Sequence, residues 1–182
     1  MTDALDDKRQ LELYARFLKE REAISMGQPA EYAEFQGPYD AASIPVKWLS
    51  EGEVRAVTNK VNAFWRHLGG LVAWSKIYKS LGDDEKFHVV VEFISPTADH
   101  CLSMPYSIKQ MLVKSICHIS HQTNRFCDPN FSEAALKKDK RLDFREAEKL
   151  AGKFSMWPKL YVPCYNLMTA STGENPATIA MS

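Results

Sequence analysis

The chain has 182 residues, of which 45% are hydrophobic and 11% aromatic. This length and composition exclude an intrinsically disordered chain, because a domain of this size buries roughly 70% of its unfolded surface. Twenty-three basic residues balance 23 acidic ones, so no net field draws the protein to nucleic acid or to an anionic membrane.

The N-terminus and the cysteines indicate a reducing compartment. The first residues are acidic and polar, unlike the basic start and apolar run of a secretory signal. The longest apolar runs, around 68–74 and 89–94, are much shorter than the ~20 residues that a membrane-spanning helix needs. None of the four cysteines forms a CxxC pair. We therefore expect a cytoplasmic protein with reduced thiols and no membrane segment.

Residues 4–26 predict an amphipathic helix. Apolar side chains recur at intervals of three and four residues, and charged side chains fill the other face; the apolar positions are Leu11, Tyr14, Ala15 and Leu18. Gly27 and Pro29 are expected to end this helix. An irregular, aromatic-rich link to Pro45 follows.

A second helix is predicted from Ser50 to Tyr78. Ser50 and Glu53 have the spacing of a capping box, in which the serine accepts from a backbone amide and the glutamate reaches back to the cap. An apolar stripe follows, at Val54, Val57, Val61, Phe64, Leu68 and Leu71. Gly69 and Gly70 interrupt the stripe, which indicates either the close approach of a neighbouring helix or a kink.

The run at 87–94 is ambiguous between helix and strand. Its β-branched residues favour a strand, but the chain offers only 160–162 as a second strand, so we predict a helix. Pro96 is expected to break the chain, and Pro105 to lie in the first turn of a new helix that begins near Ser103. Its apolar face is at Ile108, Met111, Leu112, Ile116 and Ile119.

The last part of the chain predicts a short helix from Asp143 to about Phe154 and a flexible tail over 171–182. Residues 1–170 are expected to form a single all-α domain, a helical bundle of about five to seven helices with long, irregular links. Its core should contain Leu11, Leu18, Val57, Val61, Phe64, Leu68, Leu112, Ile116 and Ile119.

The densest chemical cluster is Cys117, His118 and His121. The spacings of three and four residues allow two of these donors to face one ion on a helix. A zinc site would be completed by His100 with Cys101, or by Cys127. The alternative is that Cys117 is a small buried hydrophobe and that the histidines lie at the edge of the apolar stripe. Because zinc patterns need two tight pairs, we expect no cofactor, with zinc as the alternative.

Sequence motifs for nucleophilic or nucleotide chemistry are absent: the chain has no G-x-S-x-G elbow, phosphate-binding loop or dinucleotide fingerprint. A nucleic-acid surface would rest on one basic run, consisting of Lys137, Lys138, Lys140 and Arg141. Asp139 and Asp143 lie within or beside that run, and a mixed run is typical of a solvated face. We therefore do not expect a nucleic-acid partner.

Two hypotheses on function follow. The favoured one is a non-catalytic helical protein-interaction or regulatory module, which binds a protein partner or a second copy of itself as a homodimer. The other is a metal-dependent hydrolase or nucleic-acid-processing enzyme that uses His118 and His121 with a carboxylate such as Glu92.

Overall fold

The computed structural model describes residues 7–26, 29–32, 44–128, 130–131 and 142–154. Every regular element in these ranges is helical, which confirms the all-α prediction. The elements are α1 (Asp7–Glu22), α2 (Ile44–Tyr78), α3 (Asp83–Val89), a π-turn (Val90–Ile94), α4 (Ser95–Cys127) and α5 (Phe144–Ala151). Within the described ranges, no helix is long and apolar enough to span a bilayer.

The chain divides into two compact units. Unit 1 contains the described residues of Met1–Glu31 and Thr58–Tyr106, and unit 2 contains those of Tyr32–Val57 and Ser107–Ser182. Helices α2 and α4 therefore each contribute to both units. The single domain over 1–170 stays a prediction, and the tail predicted at 171–182 lies outside the described residues.

The core of unit 1 forms where α1, the second half of α2 and the π-turn meet. Its buried side chains are Leu13, Trp74, Ile77, Leu81 and Val89. The Trp74 ring is stacked between the rings of Phe17 and Phe93, with centroids 4.8 and 4.7 Å away. Stacked aromatic rings bury a large apolar area, so this stack holds both α1 and the π-turn against α2.

The buried face of α1 differs from the predicted one. Leu13 is fully buried and Phe17 partly buried, whereas Leu11 and Leu18 are 69% and 47% exposed. The helix carries two apolar rows, one with Leu13 and Phe17 and the other with Leu11 and Leu18. Because Phe17 stacks on Trp74, the second row faces outward. The prediction that Leu11 and Leu18 lie in the core is therefore wrong. The remaining predicted core residues are all half-buried: Val57, Val61, Phe64, Leu68, Leu112, Ile116 and Ile119.

Helix α2 is already formed at Ile44, so the capping box predicted at Ser50 is wrong. Pro45 suits a first helical turn because its φ is preset and its missing amide is not needed there. Ser50 lies inside the helix, and its Oγ donates to the carbonyl oxygen of Val46 at 2.8 Å. This is the back-bond that serine makes within a helix. The carboxylate of Glu53 is thereby left for long-range contacts.

The glycine pair in α2 marks the close approach of α1 and the segment after it. A Cβ on Gly70 would lie 3.7 Å from Cζ of Phe17, and a Cβ on Gly69 would lie 3.3 Å from Cγ of Met26. Of the two explanations for these glycines, the structure supports close approach. Helix α2 is one element from Ile44 to Tyr78.

Residues 87–94 are helical, as predicted, but α3 gives way to the π-turn at Val90. The Ser95 amide donates to the carbonyl of Val90, five residues back. This wider turn accommodates Pro96, whose ring would clash with a carbonyl four residues back in a regular helix. The predicted break at Pro96 and helix start near Ser103 are therefore wrong, because α4 begins at Ser95 and contains Pro105.

The core of unit 2 is formed by α4 and α5. It contains Val113, Cys117, Leu142, Ala147 and Leu150. Helix α5 begins where a helix was predicted to start and ends at Ala151, before the predicted Phe154. Asp143 caps it, and its side chain accepts from the Glu146 amide at 2.8 Å. The buried Asn124 of α4 donates through Nδ2 to the Leu150 carbonyl at 2.9 Å, which satisfies an acceptor in the last turn of α5.

Candidate functional site

Glu53 brings Ser115 and His118 together in unit 2. Ser115 Oγ donates to Glu53 Oε2 at 2.6 Å, and His118 Nδ1 lies 3.3 Å from Glu53 Oε1. Ser115 is buried, while the Glu53 and His118 side chains are 20% and 22% exposed. The three-residue spacing of Ser115 and His118 places them on one face of α4, opposite the glutamate from α2.

The glutamate is the central member of this cluster. In a nucleophilic triad the histidine lies between the hydroxyl and the carboxylate, because it must take the hydroxyl proton. Ser115 instead directs its proton at the carboxylate of Glu53. The geometry is thus that of a polar network joining α2 to α4. A carboxylate that contacts one ring nitrogen of a histidine also fixes the direction of the second ring nitrogen. Metal-binding histidines commonly have such a carboxylate partner.

The other two predicted metal ligands lie in different surroundings. Cys117 is a fully buried cysteine packed among the apolar residues of the unit 2 core. His121 is also buried, and its ring meets the Phe131 ring at 5.3 Å in an edge contact. In the described part of the chain, no three His, Cys, Asp or Glu side chains are grouped to hold a metal ion. Zinc binding at Cys117, His118 and His121 stays a prediction.

The residues considered as further ligands are dispersed. His100 and Cys101 belong to unit 1, where His100 is exposed and burial raises the pKa of the Cys101 thiol. Cys127 is exposed at the end of α4, and Glu92 is exposed in the π-turn. The basic run at Lys137, Lys138, Lys140 and Arg141 lies outside the described residues.

A feature that the sequence patterns did not predict is an apolar face of α1 exposed to solvent. It consists of Leu11, Tyr14 and Leu18, which are 69%, 49% and 47% exposed. Their spacings of three and four residues align them in one row, called the α1 row below. The Tyr14 ring stacks on Phe17, with centroids 5.9 Å apart, so the row is supported from beneath by the core.

The α1 row has a hollow at one end, lined by both apolar and polar side chains. Leu11, Tyr14 and Phe93 line the hollow together with Asp7 and Gln10. An apolar centre with a polar rim is the usual anatomy of a protein–protein interface. The signal in the sequence was the presence of two apolar rows on a single helix.

Neither a protein-family model nor a curated protein or solved structure gives a significant match to this chain. The functional proposal therefore depends on the α1 row and on the Glu53 cluster themselves.

Proposed function

We propose that this chain is a non-catalytic, cytoplasmic interaction module that forms a homodimer through the α1 row. The observation that supports the proposal is the outward position of Leu11, Tyr14 and Leu18 on a helix whose other apolar row is packed into the core. The finer architecture predicted from the sequence, a bundle of about five to seven helices, belongs to the same proposal.

Rigidity of α1 favours binding. Leu13 and Phe17 fix the helix from beneath, and the pairing of Arg9 with Glu85 of α3 fixes its first turn. A surface that is ordered before it binds loses little conformational entropy on association. The row presents apolar anchors three and four residues apart on one helix face, the spacing by which helices recognise apolar partner surfaces.

The row also suits a second copy of itself. A two-fold axis near Tyr14 would place Leu11 of one copy against Leu18 of the other in an antiparallel pair, which is the self-complementary arrangement of a symmetric dimer. Helix α1 carries nearly equal numbers of basic and acidic side chains, so two copies do not repel each other through net charge.

Light scattering coupled to size exclusion tests the dimer. We expect a dimer mass for the native chain and a monomer mass for Leu11→Glu/Leu18→Glu, with the same helical circular dichroism. The matched control is Leu102→Glu/Tyr106→Glu, which changes two α4 side chains that are 79% and 68% exposed, and it should remain a dimer. A native chain that is monomeric at its highest soluble concentration would refute self-association and leave a different protein as the partner.

The second candidate is a metal-dependent hydrolase or nucleic-acid-processing enzyme that uses His118 and His121. The position of Glu53 beside Nδ1 of His118 favours it, because a carboxylate partner orients a metal-binding imidazole. Elemental mass spectrometry of untagged protein should then find zinc that is lost in His118→Ala/His121→Ala and kept in His88→Ala. Folded protein without metal would contradict this candidate.

A further inference from the structure

A pocket of about 240 Å³ opens in unit 1 beside the end of α1 and the middle of α2. Apolar side chains form most of its wall: Ile24, Met26, Pro29 and Trp65. Asn62 of α2 holds the wall in place, because its side-chain amide accepts from the amide of Ala30 at 2.8 Å and donates to the Ala30 carbonyl at 3.0 Å. The pocket is therefore formed before any ligand arrives.

Arg21 and Arg66 line this pocket and also a second hollow, which contains His67, Thr97 and Trp74. Since Arg21 and Arg66 line both hollows, the two hollows adjoin at these side chains and together form a groove. We call it the arginine groove. One arm of it is apolar, and the other is lined by an imidazole, a hydroxyl and an aromatic ring.

The two arginines have no carboxylate partner among the residues that the structure describes. Other cations of α1 and α2 are paired there: Arg9 with Glu85, and Lys76 with Glu20. A guanidinium that faces a hollow without a counter-charge attracts an anion. Its planar fork fits two oxygens of a phosphate or carboxylate group.

Two histidine rings lie in contact at one arm of the groove. The rings of His67 and His100 meet edge to face, with centroids 4.6 Å apart. The pKa of His67 lies below its ordinary value, first because of burial and then because of His100, Arg66, Arg21 and Lys60. Cations from α1 and α2 thus converge on this imidazole, and a bound anion would oppose their field.

We propose that the arginine groove binds a small organic anion, with its phosphate or carboxylate head between Arg21 and Arg66 and its apolar body in the pocket beside Trp65. The pocket volume of about 240 Å³ exceeds the roughly 150 Å³ cavity that holds a benzene ring, so the body has the size of one ring or a short alkyl chain. Leu11, Tyr14 and Leu18 of the α1 row do not line this site, and its proposal does not depend on dimer formation.

Calorimetric titration of the full chain tests the groove with four probes: phenyl phosphate, benzoate, inorganic phosphate and benzyl alcohol. We expect the first two to bind more tightly than inorganic phosphate, which lacks the body, and than benzyl alcohol, which lacks the charge. Preference for phenyl phosphate or for benzoate identifies the head group. Arg21→Gln and Arg66→Gln should each weaken binding at least about tenfold. Arg16→Gln, an exposed arginine of the same helix, is the control and should bind normally.

A second readout is the pKa of His67, followed by NMR of its imidazole. Anion binding should raise that pKa in the native chain and leave it unchanged in the Arg21→Gln/Arg66→Gln variant. The proposal is overturned if neither anion gives heat or shifts the His67 titration. It is also overturned if benzyl alcohol binds as tightly as phenyl phosphate, or if the Arg16→Gln control loses as much affinity as the groove variants.

Discussion

Alanine substitutions at the three glycines of α2 measure how closely α1 and its following segment approach that helix. A Cβ on Gly52 meets nothing within 4 Å, so Gly52→Ala removes only the cost of glycine in a helix, about 0.5–1 kcal/mol. At Gly70 the new methyl group would lie 3.7 Å from Phe17, an ordinary contact that adds packing to the same gain. At Gly69 the distance to Met26 is 3.3 Å, so the methionine must move and the gain is reduced.

The expected order of stability is therefore Gly70→Ala at or above Gly52→Ala, and both above Gly69→Ala. Since about 1 kcal/mol shifts the midpoint of a chain of this size by roughly 2–4 °C, thermal unfolding followed by circular dichroism resolves the order. Adding Met26→Ala to Gly69→Ala should remove the crowding, and Met26→Ala alone supplies the reference. An unfolding midpoint for Gly70→Ala below that of the native chain would refute the packing distance at Gly70. An unfolding midpoint for Gly52→Ala equal to that of the native chain would refute the gain expected from helix propensity.

Two further predictions concern polar contacts. The hydrogen bond from Arg9 is the main cause of the lowered pKa of Glu85, so the stabilisation by this carboxylate is present above its ordinary pKa of 4.5 and is lost as the pH falls through the lowered value. In the Glu85→Gln variant, the unfolding midpoint should fall less steeply below pH 4.5 than it does in the native chain. A fall as steep as that of the native chain would contradict this prediction. Asn124→Ala should cost about 1–3 kcal/mol in urea unfolding, because the Leu150 carbonyl loses its buried donor. A loss no greater than that of Thr123→Ala, whose hydroxyl bonds within its own helix, would argue against that role.

The existence of the long helices could be predicted from apolar periodicity, but their orientation could not. Helix α1 has two rows of apolar side chains, and either row could be the buried one by its spacing. The stack of Phe17 on Trp74 decides which row is buried. Trp74 is 57 residues further along the chain, beyond the reach of any local pattern. The exposed Leu11 and Leu18 were consequently assigned to the core, although they form the surface on which the proposed function depends.

The candidate sites were harder to predict for the same reason. Glu53 has the local spacing of a cap residue, yet its carboxylate contacts Ser115 and His118, more than 60 residues away. The arginine groove combines Arg21 with Arg66, which no motif connects. Local chemistry was predictable where the partner is a near neighbour, as at Asp143, whose side chain caps its own helix.

The π-turn at Val90–Ile94 sets the rotational phase of the helix that follows it. One residue advances a helix by about 100°, so the extra residue in this turn determines which side chains after Ser95 face the interior of unit 1. With one residue fewer, the turn would become regular helix, and Cys101 and Met104 would rotate away from their buried positions. Deletion of one residue between Val89 and Ser95 is therefore expected to disturb the packing of both side chains.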